Sequence, residues 1–280
     1  MQKKTYCGDC SPEEFQKFEP SFRQLISLAN KEILPRFLCG VAVLEKSDHT
    51  PVTAADRGAE KVMREWLEQE YPHHGIYGEE FGIKEPVGDY PHYRWILDPI
   101  DGTKNFITNA FQFGTLIALE KDNGDGFKPL IGVISHPQVG AWLIGDGKKT
   151  VLHLSDNQEI SCEVRNTTDL SQATLLTSSH WTTPEQHGTK VIQDLIDQVK
   201  LYRTWGDCFG YFAVATGGAD IMLDNELNYW DVAAVVPVIE GVKGVICSTS
   251  GGNPLKELSA VASNPGLIDK VLDVLNNKNG

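Results

Sequence analysis

The sequence predicts an α/β protein whose first half is α+β and whose second half is α/β. Three patterns carry that expectation. Apolar residues recur with helical spacing through residues 11–70, and short apolar runs alternate with turn clusters over 111–154. From 174 to 276, strand patterns and helix patterns alternate. At roughly 150 residues per domain, the 280 residues divide into about two units. The expected units are 1–160, helices plus an antiparallel sheet, and 161–280, an α/β unit. The polar stretch 155–169 joins them. A hydrophobic share of 41% and a charged share of 22% exclude disordered, collagenous and coiled-coil chains.

Ser11-Pro12-Glu13-Glu14 opens the first helix: Ser11 caps it, Pro12 suits its first position and Glu14 completes a capping box. Phe15, Phe18, Phe22, Leu25, Ile26, Ala29 and Ile33 form one face, and the aromatic positions read as core. Pro35 disturbs the last turn, and 45–53 reads as a loop. Thr53 starts a second helix with Ala55, Ala59, Val62, Met63, Trp66 and Leu67 inward, ended by Pro72. A strand at Ile76 runs into Gly78-Glu79-Glu80-Phe81-Gly82. Another, 94–97, runs into Asp98-Pro99-Ile100-Asp101-Gly102-Thr103. The runs 113–119, 130–135, 142–144 and 151–154 suggest an antiparallel meander. Beyond it, strands are expected at 174–177, 201–204, 220–223, 245–247 and 260–262. Helices are expected at 185–200, 208–216, 231–241 and 265–276.

Charge narrows the partners. Lys+Arg 25 against Asp+Glu 38 leaves −13, without the basic footprint that a nucleic acid polymer demands. An anionic membrane surface is disfavoured for the same reason. No run approaches the roughly 18 apolar residues of a membrane span. The opening Met-Gln-Lys-Lys precedes no apolar core, so no signal peptide is expected and the cytoplasm is the expected compartment. The cysteines at 7, 10, 39, 162, 208 and 247 are too scattered for a disulfide framework. Cys7 and Cys10 form a C-x-x-C with no second pair, and a frayed terminus is the expectation there. A phosphate substrate is repelled by such a chain unless cations accompany the protein.

The acids fall where such cations bind. Glu79 and Glu80 follow one strand, Asp98 and Asp101 the next, while Asp56 and Asp231 lie in first turns of helices. Singly, each reads as a helix cap or a solvated loop charge. Together they resemble the oxygen ligands of hard divalent cations. Pro99 fixes the backbone and Gly102 permits a bend, so the segment can aim two carboxylates and a carbonyl at one point. The Gly102 and Thr103 amides beyond the bend suit a phosphate.

Asp98-Pro99-Ile100-Asp101-Gly102-Thr103-Lys104-Asn105-Phe106 resembles the D-P-[IL]-D-G-T signature of the inositol monophosphatase superfamily. Val52-Thr53-Ala54-Ala55-Asp56, Gly78-Glu79-Glu80, Ala215-Thr216-Gly217-Gly218-Ala219-Asp220 and Trp230-Asp231-Val232-Ala233-Ala234 match further elements of the same family. Their order and spacing agree from about residue 12 onward. The resemblance implies an α-β-α-β-α layered sandwich and phosphomonoester hydrolysis with two or three Mg²⁺. It implies that Glu79, Asp98 and the Ile100 carbonyl hold one ion, and Asp98, Asp101 and Asp231 another. A third ion leans on Glu79. It also implies in-line attack by a metal-activated water, aided by Thr103 with Asp56 behind it, and phosphate binding by Gly102 and Thr103. Lithium sensitivity and a homodimer are family habits.

Phe113-Gly114-Thr115-Leu116-Ile117-Ala118-Leu119 and Gly206-Asp207-Cys208-Phe209-Gly210-Tyr211 resemble the histidinol-phosphate phosphatase branch. Asp207 falls where the inositol branch carries a small residue, and Asp224 where a family acid contacts substrate. Two acids suit histidinol, which carries an ammonium and a protonatable imidazole. The competing reading of Asp207 is a cap for the helix at Cys208. Alternative substrates are inositol 1-phosphate or a range of sugar and nucleotide phosphates. A third reading, a non-catalytic binding protein, does not need the intact set Asp56, Glu79, Asp98, Asp101, Thr103 and Asp231. Residues 140–150 lack the G-K-[ST] of a phosphate loop and read as a β-turn, as does Gly251-Gly252. His180 and His187 read as surface histidines, and Lys104 carries no assignment.

Overall fold

The computed structural model describes residues 4–40, 43–45, 51–179 and 188–276. Its first helix, α1 (Pro12–Ile33), carries the expected reciprocal cap: Glu14 N donates to Ser11 Oγ at 3.2 Å and Ser11 N to Glu14 Oε2 at 3.0 Å. A 3-10 turn at Leu34–Arg36 follows, where Pro35 ends regular helix. The expected loop at 45–53 is bounded instead by an antiparallel pair, β1 (Val43–Glu45) and β2 (Pro51–Thr53), each too short to show a period in sequence. Thr53 then caps α2 (Ala54–Glu70).

The first sheet is built from β3 (Gly75–Gly78), β4 (Gly82–Lys84) and β5 (His92–Asp101), with the short helix α3 (Thr103–Ile107) leaving β5. The meander β6 (Gly114–Asp122), β7 (Lys128–His136), β8 (Ala141–Gly145), β9 (Thr150–His153) and β10 (Glu159–Ser161) completes it. The order is β10-β9-β8-β7-β6-β5-β3-β4, antiparallel except for the parallel pair β3–β5. Side chains alternate across it: Trp95 and Leu97 join the core with α1 and α2, and Ile96 joins the core beneath. Phe18 and Phe22 of α1 are fully buried on Trp95, so the aromatic face is core as expected.

The second sheet orders as β12-β11-β13-β15-β14, from β11 (Thr174–Thr177), β12 (Leu201–Arg203), β13 (Ile221–Asp224), β14 (Val245–Cys247) and β15 (Ala260–Ser263). It is mixed, parallel at β11 and antiparallel around β15. Its helices are α4 (Gly188–Ile196), α5 (Asp207–Ala215), α6 (Tyr229–Ala233), α7 (Val235–Gly241), α8 (Pro254–Glu257) and α9 (Ile268–Asn276). Residues of α5, α6 and α7 share one core with Ile96, Leu116 and Ile134 above and Leu176, Met222 and Ala262 below. Leu195 of α4 and Val271 of α9 cover the outer face. The layers therefore run α1/α2, first sheet, α5–α7, second sheet, α4/α9, the α-β-α-β-α sandwich that the resemblance implies.

Several boundaries differ from expectation. The helix expected at 231–241 is two, because Pro237 has no N–H to bond back to Ala233. Helix 265–276 begins at Ile268, after a turn in which Asn264 Oδ1 accepts from Gly266 N at 2.7 Å. Helix 208–216 begins at Asp207, and the helix expected at 185–200 ends at Ile196, its residues 185–187 lying outside the described residues. Within 140–150, residues 141–145 are strand β8 and 146–149 make the β8–β9 turn; Gly251-Gly252 also lies in a turn, as expected. The terminus is not frayed at residues 4–11. Tyr6 N donates to Glu240 Oε1 at 2.7 Å, Tyr6 Oη to Gly252 O at 2.8 Å and Gly8 N to Pro129 O at 2.8 Å. Cys10 is buried, and all the cysteines are free thiols. His180 and His187 lie outside the described residues.

Candidate active site

The site begins with an irregularity in β5. Asp98 pairs with Leu116 and Asp101 with Gly114, so three steps on β5 match two on β6. The bulge re-aims the strand end. Thr115 Oγ1 holds it by donating to Pro99 O at 2.7 Å. Gly102 then turns the chain at φ +80°, a left-handed conformation that suits glycine. The bulge directs Asp98 and Asp101 toward Asp231 in the first turn of α6, whose Oδ2 accepts from Asn228 N at 2.7 Å. One oxygen from each of Asp98, Asp101 and Asp231 lies within 4.8 Å of the others.

These acids face one another rather than bases. Among the described residues no lysine or arginine forms an ion pair with Asp98, Asp101 or Asp231. Burial pushes the Asp98 carboxyl well above the usual range, and the charges of Glu79, Asp101 and Asp231 add to it. Burial does the same to Asp101, reinforced by Asp207 and Asp231. Asp231 is pushed up to about 7, chiefly by burial. Asp98 hydrogen-bonds Glu79, while its buried Oδ1 has no partner among the described residues. An orphaned buried oxygen within an all-oxygen donor set fits a hard divalent cation.

Glu79 is presented by a turn that sequence reasoning did not explain. Its N–H donates to Leu97 O at 3.1 Å. Beneath it lies Glu60 of α2, fully buried, accepting from Glu80 N at 2.7 Å, Phe81 N at 3.1 Å and Arg64 Nε at 2.7 Å. Glu60 fills the space a Cβ on Gly78 would need, which requires glycine there. Asp56, buried nearby, accepts at Oδ2 from Thr53 N at 2.8 Å and Thr53 Oγ1 at 2.5 Å. Its Oδ1 has no partner among the described residues, and burial, with a further push from Glu79, raises its pKa. Thr103 Oγ1 donates to Ile100 O at 3.1 Å; no hydrogen bond joins Thr103 to Asp56.

The second half contributes the β12–α5 turn. Asp207 does not cap α5: it is the first residue of the helix, and Gly206 holds the cap position. Its Oδ2 instead accepts from Asn105 Nδ2 at 2.7 Å, and its N–H donates to Ser178 Oγ at 2.7 Å. Cys208 N donates to Asp101 Oδ2. Asp224 is buried, accepts from Tyr211 Oη at 3.0 Å and Ser178 N at 3.3 Å, and is pushed up to about 6, mainly by burial, with Asp207's charge adding. Ser178 thus touches both acids. Lys104 is exposed. Glu60, Asn105, Ser178 and Tyr211 went unread because their partners lie far along the chain. The place of Glu60 between Ala59 and Met63, on the inward face of α2, was the one available signal.

The description of the inositol monophosphatase family matches residues 20–278 of this chain. The chain belongs to the inositol monophosphatase family. A chloroplastic bifunctional phosphatase of Arabidopsis thaliana is 37% identical over 91% of this chain and 71% of its own. A histidinol-phosphatase of Streptomyces coelicolor is 33% identical, covering 91% of this chain and 95% of that one. A solved inositol monophosphatase of Zymomonas mobilis superposes with TM-score 0.78 and 31% identity over 93% of this chain and 98% of that chain. The protein is a phosphoric monoester hydrolase of this family. No helix among the described residues is long and apolar enough to cross a membrane.

Proposed function

We propose that this phosphatase hydrolyses L-histidinol phosphate with Mg²⁺. The observation that carries the substrate choice is the pair Asp207 and Asp224, both held on Ser178 beside the acid cluster. Asp207's charge disfavours ionisation of Asp224, and a cationic leaving group relieves that repulsion. Relatives named histidinol-phosphatase from Streptomyces coelicolor and Mycobacterium tuberculosis, at 33% and 35% identity, support the same choice.

Glu79, Asp98, the Ile100 carbonyl, Asp101 and Asp231 would hold two or three Mg²⁺ ions. When bound, the ions offset phosphate charge and acidify water. The Gly102 and Thr103 amides bind the phosphate. The Thr103 hydroxyl fixes the Ile100 carbonyl toward the acids, the contact at 3.1 Å. Glu79 and Thr103 orient the attacking water in line with the leaving oxygen, and Asp56 stands behind them with one unpartnered oxygen. Asp207 and Asp224 hold the leaving alcohol.

Inositol 1-phosphate is the second reading, favoured by a 32% identical inositol-1-monophosphatase of Caulobacter vibrioides. Phosphate release at fixed Mg²⁺ from histidinol phosphate, inositol 1-phosphate, fructose 1,6-bisphosphate and adenosine 3′,5′-bisphosphate decides between them. The expected preference in kcat/KM for histidinol phosphate is about 100-fold, roughly 2.7 kcal/mol of transition-state discrimination. A flat or inositol-led profile overturns the substrate. The exposed apolar side chains Leu38, Phe111 and Val139 support a homodimer, which light scattering tests.

A further inference from the structure

Asp207 is held in an unusual way. Its φ is +50°, in the left-handed region that a residue with a Cβ seldom occupies. Such a conformation persists only where the surroundings over-determine it. They do so here from two directions. Ser178 Oγ accepts the Asp207 N–H at 2.7 Å, which fixes the backbone. Asn105 Nδ2, 102 residues away, donates to Oδ2 at 2.7 Å, which fixes the carboxylate. That carboxylate oxygen lies 2.9 Å from where a Cβ on Gly102 would stand, so it packs directly on the bend of the Asp98–Thr103 segment. The next residue ties in the opposite sense, with Cys208 N donating to Asp101. The turn before α5 and the loop before α3 are thus clamped by reciprocal hydrogen bonds.

We infer that Asn105 is the positioning residue for leaving-group specificity. It touches neither phosphate nor leaving group; it holds the Asp207 carboxylate at a set distance from the loop that receives the phosphate. The amide offers a neutral donor of fixed reach. It therefore orients the carboxylate without neutralising it, as a lysine or arginine in its place would. Discrimination between a cationic and a neutral alcohol then depends on a side chain of the first half acting through an acid of the second.

This inference rests on the reading of Asp207 as a leaving-group contact, and a double-mutant cycle separates the two. The quantity is the ratio of kcat/KM for histidinol phosphate to that for inositol 1-phosphate, at saturating Mg²⁺. Asp207→Ala should lower it by about tenfold or more, and Asn105→Ala by about fivefold. The Asn105→Ala loss should lie in KM for histidinol phosphate, with kcat on inositol 1-phosphate within about twofold of the parent. In the Asp207→Ala background, Asn105→Ala should change the ratio no further. Asn105→Ser, a milder change that keeps a donor, should retain more of the ratio than Asn105→Ala and serves if the alanine variant does not fold. A ratio lowered by Asp207→Ala but untouched by both Asn105 variants overturns the positioning role alone. Equal and additive losses in both backgrounds also overturn it. A ratio insensitive to Asp207→Ala overturns the leaving-group reading and this inference with it.

Discussion

Two sets of carboxylates in this protein stand in contrast. Glu120, Glu60 and Asp220 are buried against arginines: Arg94 at 2.7 Å, Arg64 at 2.7 Å and Arg165 at 3.0 Å. Each is balanced within the chain, and each joins elements distant in sequence. Asp98, Asp101 and Asp231 converge within 4.8 Å and find no such partner among the described residues. Burying a charge without compensation is among the costliest things a fold can do. The first kind is part of how the chain holds together. The second makes sense only if the counter-charge arrives from solution.

Asp98→Asn tests that contrast most severely. It should cut phosphate release about 1,000-fold or more, the scale of several kcal/mol of charge stabilisation at a metal site. Without Mg²⁺ the same variant should melt at or above the parent temperature, because a repelling charge is gone. Added Mg²⁺ should raise the parent's Tm and not the variant's. A parent Tm indifferent to Mg²⁺ and to chelator contradicts the contrast.

Asp220→Ala is the mirror case. It strands Arg165 and the Thr174 N–H, which donates to Asp220 Oδ2 at 2.7 Å. Chemical denaturation should show a loss of about 3 kcal/mol. Activity per folded molecule should hold. A loss of activity with unchanged stability would place Asp220 with the wrong group.

Glu60 sits between the two kinds, paired with Arg64 yet gripping the backbone that presents Glu79. Glu60→Gln should raise the Mg²⁺ concentration for half-maximal activity by about tenfold, the usual scale for a group that orients a ligand. A Mg²⁺ titration of initial rates reads this directly.

The smallest effect is on pH. Asp231's pKa is about 7 when folded against an ordinary 3.8, so the metal-free folded state holds more protons than the unfolded state between those values. Its stability should fall as pH rises through that window. A decline of a few degrees in Tm per pH unit, the scale of about 1 kcal/mol in a chain this size, should appear in chelator. Saturating Mg²⁺ should flatten it.

Much of this was legible because it was local. The α1 cap, the apolar face ending in Phe22 and Ile33, and the meander all follow from spacing of a few residues. The Asp98-Pro99-Ile100-Asp101-Gly102 run announces a directed turn by composition alone. Asp231's approach to that turn followed only from the resemblance, since nothing in spacing links positions so far apart. Glu60, Ser178 and Asn105 were invisible because each matters through a partner elsewhere: Glu80, Asp224 and Asp207. The break between α6 and α7 was available in Pro237, which the expectation of one helix over 231–241 did not use.

The docked N-terminal arm bears on the order in which the chain acquires its shape. Tyr6 bonds to residues 234 and 246 positions later, at Glu240 and Gly252. During synthesis the arm leaves the ribosome well before its docking surface. At about 5–20 residues per second it waits on the order of ten seconds or more for that surface. Contacts of such long range carry the largest loop-closure cost and form late. Residues translated long before their docking surface therefore become a seal on the finished fold, and peptide cleavage within 4–11 reports whether that seal has closed.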